Sequence, residues 1–321
     1  MALAHGIAVV LHETLQFGLF LGRFTGNLLY GTVRALIPSG VLPRKCVRDK
    51  VFLITGSASG IGRLCALKFG QLGAVIVLWD INETGNTETL RLLTGMGVKA
   101  RAYTVDLADK EQIYSTAEKV KNELGDVYLV MNNAGVVCGK DLVDLPDKAM
   151  ELTIDVNVKS LFYVTKAFLP RMLEKDEGHI VTMASIAGHA GLIGLTDYCA
   201  SKHAAVGFMA ALYRELYNIG SNVQTTTVSP YYINTGMFDG VTESKLFPVC
   251  PILQPEYVAD RIVDAVLTNT PHLILPRFLY IIKFVGTFLP QSCTDAIYDY
   301  TNTDRTMLTF KGRIEEIAKS P

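Results

Sequence analysis

Residues 51–62 read VFLITGSASGIG. An apolar, β-branched run passes straight into a turn with glycines at 56, 60 and 62, and the helix-length segment GRLCALKFGQLG (62–73) follows. A short apolar run bounded by a glycine-rich turn reads as a buried strand feeding a helix. Glycines there permit a tight turn and let the backbone approach a pyrophosphate at the positive end of the helix. The spacing is G-x-x-x-G-x-G rather than the G-x-G-x-x-G of the usual dinucleotide fingerprint. A plain strand–helix turn would look similar, so the surrounding chain must decide.

Working outward, further strand-like runs follow at AVIVLWD (74–80), ARAYTVD (100–106), VYLVMNN (127–133), HIVTMAS (179–185) and VQTTTVS (223–229), with LIL (273–275) as a seventh. Helix-length segments separate them, among them KEQIYSTAEKVKNEL (110–124) and AAVGFMAALYREL (204–216). Strands alternating with helices predict βαβ units and a parallel sheet covered on both faces. The expected fold is therefore α/β, a Rossmann-type doubly wound parallel sheet of about seven strands, preceded by an apolar N-terminal helix.

Composition narrows the function classes. Thirty basic residues against 31 acidic leave the 321-residue chain nearly neutral, so no nucleic-acid partner is expected. Hydrophobic residues make up 49% and charged ones only 19%, an excess that needs a large core or a membrane. The cysteines Cys46, Cys65, Cys138, Cys199, Cys250 and Cys293 are scattered without a CxxC pair, and the six histidines form no ligand pattern. Reduced thiols facing the cytosol and no metal site are the expectation.

Residues 1–40 form the apolar front end. Charges at Glu13, Arg23 and Arg34 interrupt it, so no run of 18 uncharged residues marks a simple spanning helix. His5, His12, Gln16, Arg23, Asn27 and Arg34 fall within about 60° of one another on a helix, leaving one polar stripe and a wide apolar face. Gly18, Gly22, Gly26 and Gly31 weaken the helix. Arg44, Lys45, Arg48 and Lys50 follow within a basic flank at 41–50. An apolar helix and a basic flank suit a membrane anchor with the catalytic domain, 51–276, on the cytosolic side. Packing on the domain or a dimer interface is the alternative; a cleaved signal peptide fits less well, because no basic residue precedes the apolar stretch. In the C-terminal extension, 277–321, part of a second apolar stretch (273–290) could dip into the membrane, roof an apolar pocket, or be an ordinary buried helix.

Within the domain, Asp80 ends the second strand 18 residues after Gly62, where a carboxylate can accept bonds from ribose hydroxyls and repel a 2′-phosphate. With Ile81 rather than arginine next, NAD is favoured over NADP as cofactor. Asp106 ends the third strand, placed either to meet the adenine end or to cap the next helix. Tyr198 and Lys202 stand four apart in YCASK (198–202) at the head of a helix, on one face. A lysine ammonium near a phenol favours phenolate and would lower the tyrosine pKa towards neutrality.

Five motifs in order, TGSASGIG (55–62), Asp106, NNAG (132–135), Ser185 after a strand and YCASK, together with Asn157 in DVNVKSLF, resemble the short-chain dehydrogenases/reductases over about residues 50–240. VLWDIN (77–82), NNAGVV (132–137), TKAFLPRML (165–173), GHIVTMAS (178–185) and DYCASK (197–202) are similar to the membrane-bound branch with retinol dehydrogenases, retinal reductases and lipid-droplet 17β-hydroxysteroid dehydrogenases. That branch tends to begin with an apolar anchor.

The resemblance implies a catalytic set of Asn157, Ser185, Tyr198 and Lys202. Tyr198 would move the proton, Ser185 hold the substrate oxygen, Lys202 bond the nicotinamide ribose, and Asn157 position a relay water. The implied cofactor-binding residues are Gly56, Ser57, Gly60, Ile61, Gly62, Asp80, Asp106, Asn133, Gly135, Tyr198, Lys202, Ile233 and Thr235. The implied activity is hydride transfer between NAD and a lipophilic alcohol such as retinol or a hydroxysteroid, at the endoplasmic reticulum membrane or a lipid droplet. An NADPH-dependent retinal reductase and a catalytically idle lipid-droplet scaffold are the alternatives, and a homodimer is compatible with either. One position departs from the family: Tyr231 follows Pro230 where many members have glycine, so the nicotinamide-side loop is expected to differ in shape. Specificity is expected in the loop at about 236–255.

Overall fold

Each strand from 51 to 275 is followed by a crossover rather than a hairpin, so neighbours must run parallel. The computed structural model describes residues 2–37, 41–245 and 250–311. Residues 38–40 of the expected anchor, 246–249 of the expected specificity loop and 312–321 of the C-terminal extension lie outside the described residues. Two compact units are present, Met1–Arg44 and Lys45–Pro321.

In the second unit, β1 (Val51–Thr55), β2 (Val75–Asp80), β3 (Ala100–Thr104), β4 (Val127–Asn132), β5 (His179–Met183), β6 (Gln224–Pro230) and β7 (His272–Leu275) form one parallel sheet. Its order is β3-β2-β1-β4-β5-β6-β7. All seven expected strands are present, each within one or two residues of its predicted ends.

Alternation explains how one strand serves two cores. Phe52 and Ile54 of β1 face α2 (Gly60–Gln71) and α8 (Pro255–Leu267), with the Phe52 and Phe69 rings edge to face at 4.9 Å. Leu53, between them, faces the opposite layer with Trp79 and Phe168. That layer is built from α4 (Lys110–Leu124), α6 (Ser160–Lys175) and α7 (Thr196–Asn218). The chain winds to one side through β2 and β3, with α3 (Glu83–Gly95), and then crosses β1 to begin β4. Ligands of such sheets bind at this reversal, outside the carboxyl ends of β1 and β4.

A short helix α5 (Asp147–Ile154) leads to α6 through a π-helical turn at Asp155–Lys159. Such a turn holds one residue more than an α-helical one, and it often marks a functional site.

Most of the first unit is one helix, α1 (Ala2–Leu36), about 52 Å long. The glycines do not break it. Val10, Leu11, Phe17, Phe20, Phe24 and Leu28 are all exposed along it. Among the described residues no helix is long and apolar enough to cross a membrane.

The apolar stretch 273–290 divides into β7, a turn and α9 (Leu279–Gly286). An ordinary buried helix is excluded, since Leu279 is buried while Ile281, Phe284 and Phe288 stand exposed. At the opposite end of the sheet from its carboxyl edge, Lys45 turns inward instead of joining the exposed flank. Its Nζ lies 2.7 Å from His179 Nδ1, and His179 Nε2 lies 2.8 Å from Thr226 Oγ1. The Thr226 hydroxyl donates to the Thr270 carbonyl at 2.8 Å, so it accepts from Nε2–H and leaves Nδ1 to accept from Lys45. Burial pulls the Lys45 pKa down to about 7, and His179 is held well below its usual value by burial and by Lys45.

Candidate active site

The turn after β1 is held open by glycine and fastened by Thr55 and Asn133. Gly56 takes φ +66° and Gly60 φ +53°. A Cβ on Gly56 would lie 2.8 Å from Ala134 Cα, and one on Gly62 would overlap the Gly56 carbonyl. The Asn133 Nδ2 donates to the carbonyls of Thr55 (2.8 Å) and Gly56 (3.1 Å), while Thr55 Oγ1 accepts from the N–H of Asn133 (3.0 Å) and Ala134 (3.1 Å). Asn133 thus braces the turn as well as bordering it. The first N–H groups of α2 have no intrahelical acceptors, and they converge on this cradle with the helix dipole behind them.

Ser57 is fully buried, and its hydroxyl donates to Asn86 Oδ1 at 2.7 Å. Its side chain therefore ties the turn to α3, and its carbonyl accepts from the Thr89 hydroxyl at 2.9 Å. Asn86 Nδ2 continues to the carbonyls of Leu78 and Tyr103. Arg63 spans the same gap through Thr89 Oγ1, the Ala58 carbonyl and the Gly85 carbonyl. Sequence reasoning missed Asn86, Thr89 and Arg63. No local pattern links position 57 to position 86.

Asp80 closes β2 beside the turn, accepting from the N–H of Ala58 and of Asn82, both at 2.9 Å. Asp106 accepts from Ala108 N–H at 2.9 Å. The cap of α4 is Asp109, which takes the N–H groups of Glu111 and Gln112, so Asp106 shapes the turn rather than the helix end.

Across the crevice, Ser185 lies two residues beyond β5 and accepts from Ala187 N–H at 3.1 Å. Tyr198 lies in the first turn of α7, only 5% exposed, with the Ser185 side chain near enough to favour its ionised form. Phe238 meets its ring edge to face at 5.8 Å, and Lys202 Nζ lies 5.5 Å from the ring centroid. The Lys202 amine donates to the Met183 carbonyl at 2.8 Å, and burial lowers its pKa to about 8. For Tyr198 the expected lowering is not found in the protein alone. Burial pushes the phenol well above its usual value, and the Ser185 side chain only partly offsets this.

Asn157 sits in the π-helical turn. Its side chain pairs with the backbone of Val136 in both directions, at 2.8 and 2.9 Å, and donates to Ser201 Oγ at 3.0 Å. Ser201 in turn donates to the Tyr198 carbonyl at 2.7 Å. Missing side-chain bulk at Gly135 matters here, because a Cβ would lie 3.3 Å from Asn157 Oδ1 and 3.6 Å from Lys202 Nζ. The structure thus gathers Gly135, Asn157, Ser185, Tyr198 and Lys202 at one crevice. Asp197 is also buried; its Oδ2 accepts from the Thr153 hydroxyl at 2.8 Å, which ties α5 to α7.

Tyr231 has an ordinary negative φ, so the loop after β6 needs no glycine there. Its N–H bonds the Leu275 carbonyl, and Tyr231 and Tyr232 pack edge to face at 4.9 Å. Ile233 bridges to Leu253, which brings Thr235 beside Gly60, with Thr235 Cγ2 3.6 Å from where a Gly60 Cβ would be. Ile61 is packed into the core beneath the turn.

The family model for short chain dehydrogenases matches residues 50–246. The chain is 44% identical over 292 residues to epidermal retinol dehydrogenase 2 of Homo sapiens, covering 90% of this chain and 93% of that protein. Among solved structures, a short chain dehydrogenase/reductase from Burkholderia phymatum in complex with NAD superposes with TM-score 0.68 at 27% identity, covering 74% of this chain and 93% of the other. A metagenomic short-chain oxidoreductase in complex with NADP gives TM-score 0.62 at 25% identity, over 72% and 98% of the two chains.

Proposed function

The chain belongs to the short-chain dehydrogenase family, and from that premise we propose that it oxidises a lipophilic alcohol, with retinol as the leading substrate and NAD as the preferred cofactor. It is an oxidoreductase using a nicotinamide cofactor. The observation that carries the reading is the burial of Tyr198 beside Ser185, with the Lys202 amine 5.5 Å from its ring centroid and apolar side chains about it. A relative 44% identical that is named a retinol dehydrogenase supports the substrate class.

The cradle fits a dinucleotide. Gly56 and Gly62 leave room that a Cβ would fill, next to the uncapped start of α2, which suits a pyrophosphate. A carboxylate at Asp80 suits ribose hydroxyls and disfavours a 2′-phosphate, which supports NAD. When bound, the nicotinamide supplies the hydride chemistry. The chain's own residues orient the alcohol and move one proton. Ser185 holds the substrate oxygen, and Tyr198 takes the hydroxyl proton. Burial opposes the phenolate, so Lys202 must supply positive charge to offset it. Asn157, fixed to Val136 and Ser201, positions the water through which the proton leaves.

We further assign the protein to the endoplasmic reticulum membrane or the lipid-droplet surface, held by residues 1–40 with the catalytic unit in the cytosol. The exposed apolar face of α1 supports this.

The test is an assay of membranes carrying the protein with retinoids, hydroxysteroids and long-chain alcohols, each with NAD and NADP. Retinol turnover with NAD, lost by about 10²–10⁴-fold in Tyr198→Phe, is the expected result. Turnover with NADP alone would reject the cofactor assignment. Tyr198→Phe with undiminished turnover would reject the proton-transfer role.

A further inference from the structure

Beyond α10 (Gln291–Thr301) the chain returns across the loop that follows β6. Hydrogen bonds join the two segments, among them one between the Tyr232 and Thr306 hydroxyls, 3.4 Å apart. Lys245 N–H donates to the Thr301 carbonyl (2.9 Å), Thr242 N–H to Thr306 (3.1 Å), Lys311 N–H to Asp239 (2.8 Å), and the Thr309 hydroxyl to Gly240 (2.6 Å). These bonds satisfy several backbone groups of both segments and hold them together. Met307 is buried in the same cluster as Tyr198.

The aromatic rings form a path outward from the reactive tyrosine. Phe238 lies on Tyr198 at 5.8 Å, and Phe310 lies against Phe238 at 6.2 Å. The Phe310 ring also rests on Gly139, so closely that a Cβ at 139 would overlap the ring. Gly139 belongs to the segment after β4 that also carries Gly135, beside Asn157 and Lys202. Phe310 therefore reaches from the β6 side of the crevice to the β4 side.

We propose that Phe310 is a specificity-determining residue, one that contacts the hydrocarbon part of the substrate, and that residues 301–311 form the outer wall of the substrate site. This rests on the reading of the protein as a dehydrogenase of lipophilic alcohols. A substrate oxygen within hydrogen-bond reach of Ser185 and Tyr198 must send its carbon skeleton outward. The surface it meets along the ring path is Phe238 and then Phe310. Both offer only apolar area, which rewards a long or polycyclic chain and does nothing for a small polar alcohol.

The experiment compares kcat/KM for all-trans-retinol and for cyclohexanol, in the full-length protein and in Phe310→Ala and Phe310→Leu. Phe310→Ala should lower the retinol value at least about tenfold, through KM, and leave cyclohexanol within about threefold. Phe310→Leu should recover most of the ratio. A ratio unchanged in Phe310→Ala overturns the proposal.

A second readout needs no substrate: nitration of Tyr198 by tetranitromethane, followed by peptide mass spectrometry. Removing the Phe310 ring should speed nitration of Tyr198 by about threefold or more, with the half-exposed Tyr213 and Tyr217 as unchanged internal controls. Equal Tyr198 nitration in both proteins would remove Phe310 from the wall. If wild-type protein oxidises no lipophilic alcohol with either cofactor, the functional reading fails by itself, and nitration still decides where Phe310 sits. If Tyr213 and Tyr217 also change in the alanine variant, the leucine variant carries the comparison.

Discussion

Replacing Lys45 by methionine should change how stability depends on pH. Burial lowers the folded-state pKa of Lys45 from 10.5 to about 7. Between those values the unfolded chain holds a proton that the folded protein does not, so stability rises with pH across the window. Below about pH 7 both states are protonated, and the contribution is flat. Each pKa unit is worth about 1.4 kcal/mol, and the curve bends near pH 7, so the gain between pH 7 and pH 9 is about 2 kcal/mol. Methionine keeps the stem and removes the titration. It also leaves His179 Nδ1 without its donor, a cost of about 1–3 kcal/mol that does not vary above pH 7. Nearby charges are Lys50, paired with Glu177 at 2.9 Å, and both lysines flank the Tyr128 ring at 5.2 and 5.1 Å. These remain in the variant. Urea unfolding of both proteins at pH 7, 8 and 9 should show the wild type gaining about 2 kcal/mol on the variant. A constant difference would mean that Lys45 titrates like an exposed amine and that the inward placement is wrong.

Two further outcomes follow from the same geometry. Gly62→Ala forces a methyl group onto the Gly56 carbonyl and the Asn133 amide, and should cost about 1–3 kcal/mol in stability together with most cofactor binding; thermal unfolding with and without NAD reads both, and an alanine variant of normal melting and affinity would contradict the packing. Removal of residues 1–40 should release the protein from sedimenting membranes, whereas a truncated chain still found in the pellet would deny these residues the anchoring role.

Much of the fold was legible because the strands are apolar nearly throughout, as in VFLIT and VIVLWD, which only a doubly covered sheet demands. Even the less buried edge strand ARAYT was marked by the helical segments on either side. The gathering of Asn157, Ser185, Tyr198 and Lys202 was legible through a resemblance, not through any periodicity. What stayed hidden depends on partners far apart in sequence. No local pattern shows that the Ser57 hydroxyl is committed to Asn86, 29 residues on. Lys45 belongs to a basic flank by charge alone, which does not say that an imidazole waits inside. Specificity was expected at 236–255, yet that loop is completed by residues 301–311, and nothing local to either segment encodes their pairing.

The π-helical turn at Asp155–Lys159 has a consequence for what the chain can tolerate. Deleting one residue there would let α5 run into α6 as a continuous α-helix, a change that looks favourable locally. Yet one residue is worth about 100° of rotation. Thr153, which holds Asp197, and Thr165, which accepts from Asn132, lie on opposite sides of the turn. If either kept its partner, the other would swing away, and Asn157 would leave Val136. The irregular turn thus acts as a counting device, and substitutions at exposed positions between 147 and 175, away from Asn157, should be far better tolerated than any change in the number of residues.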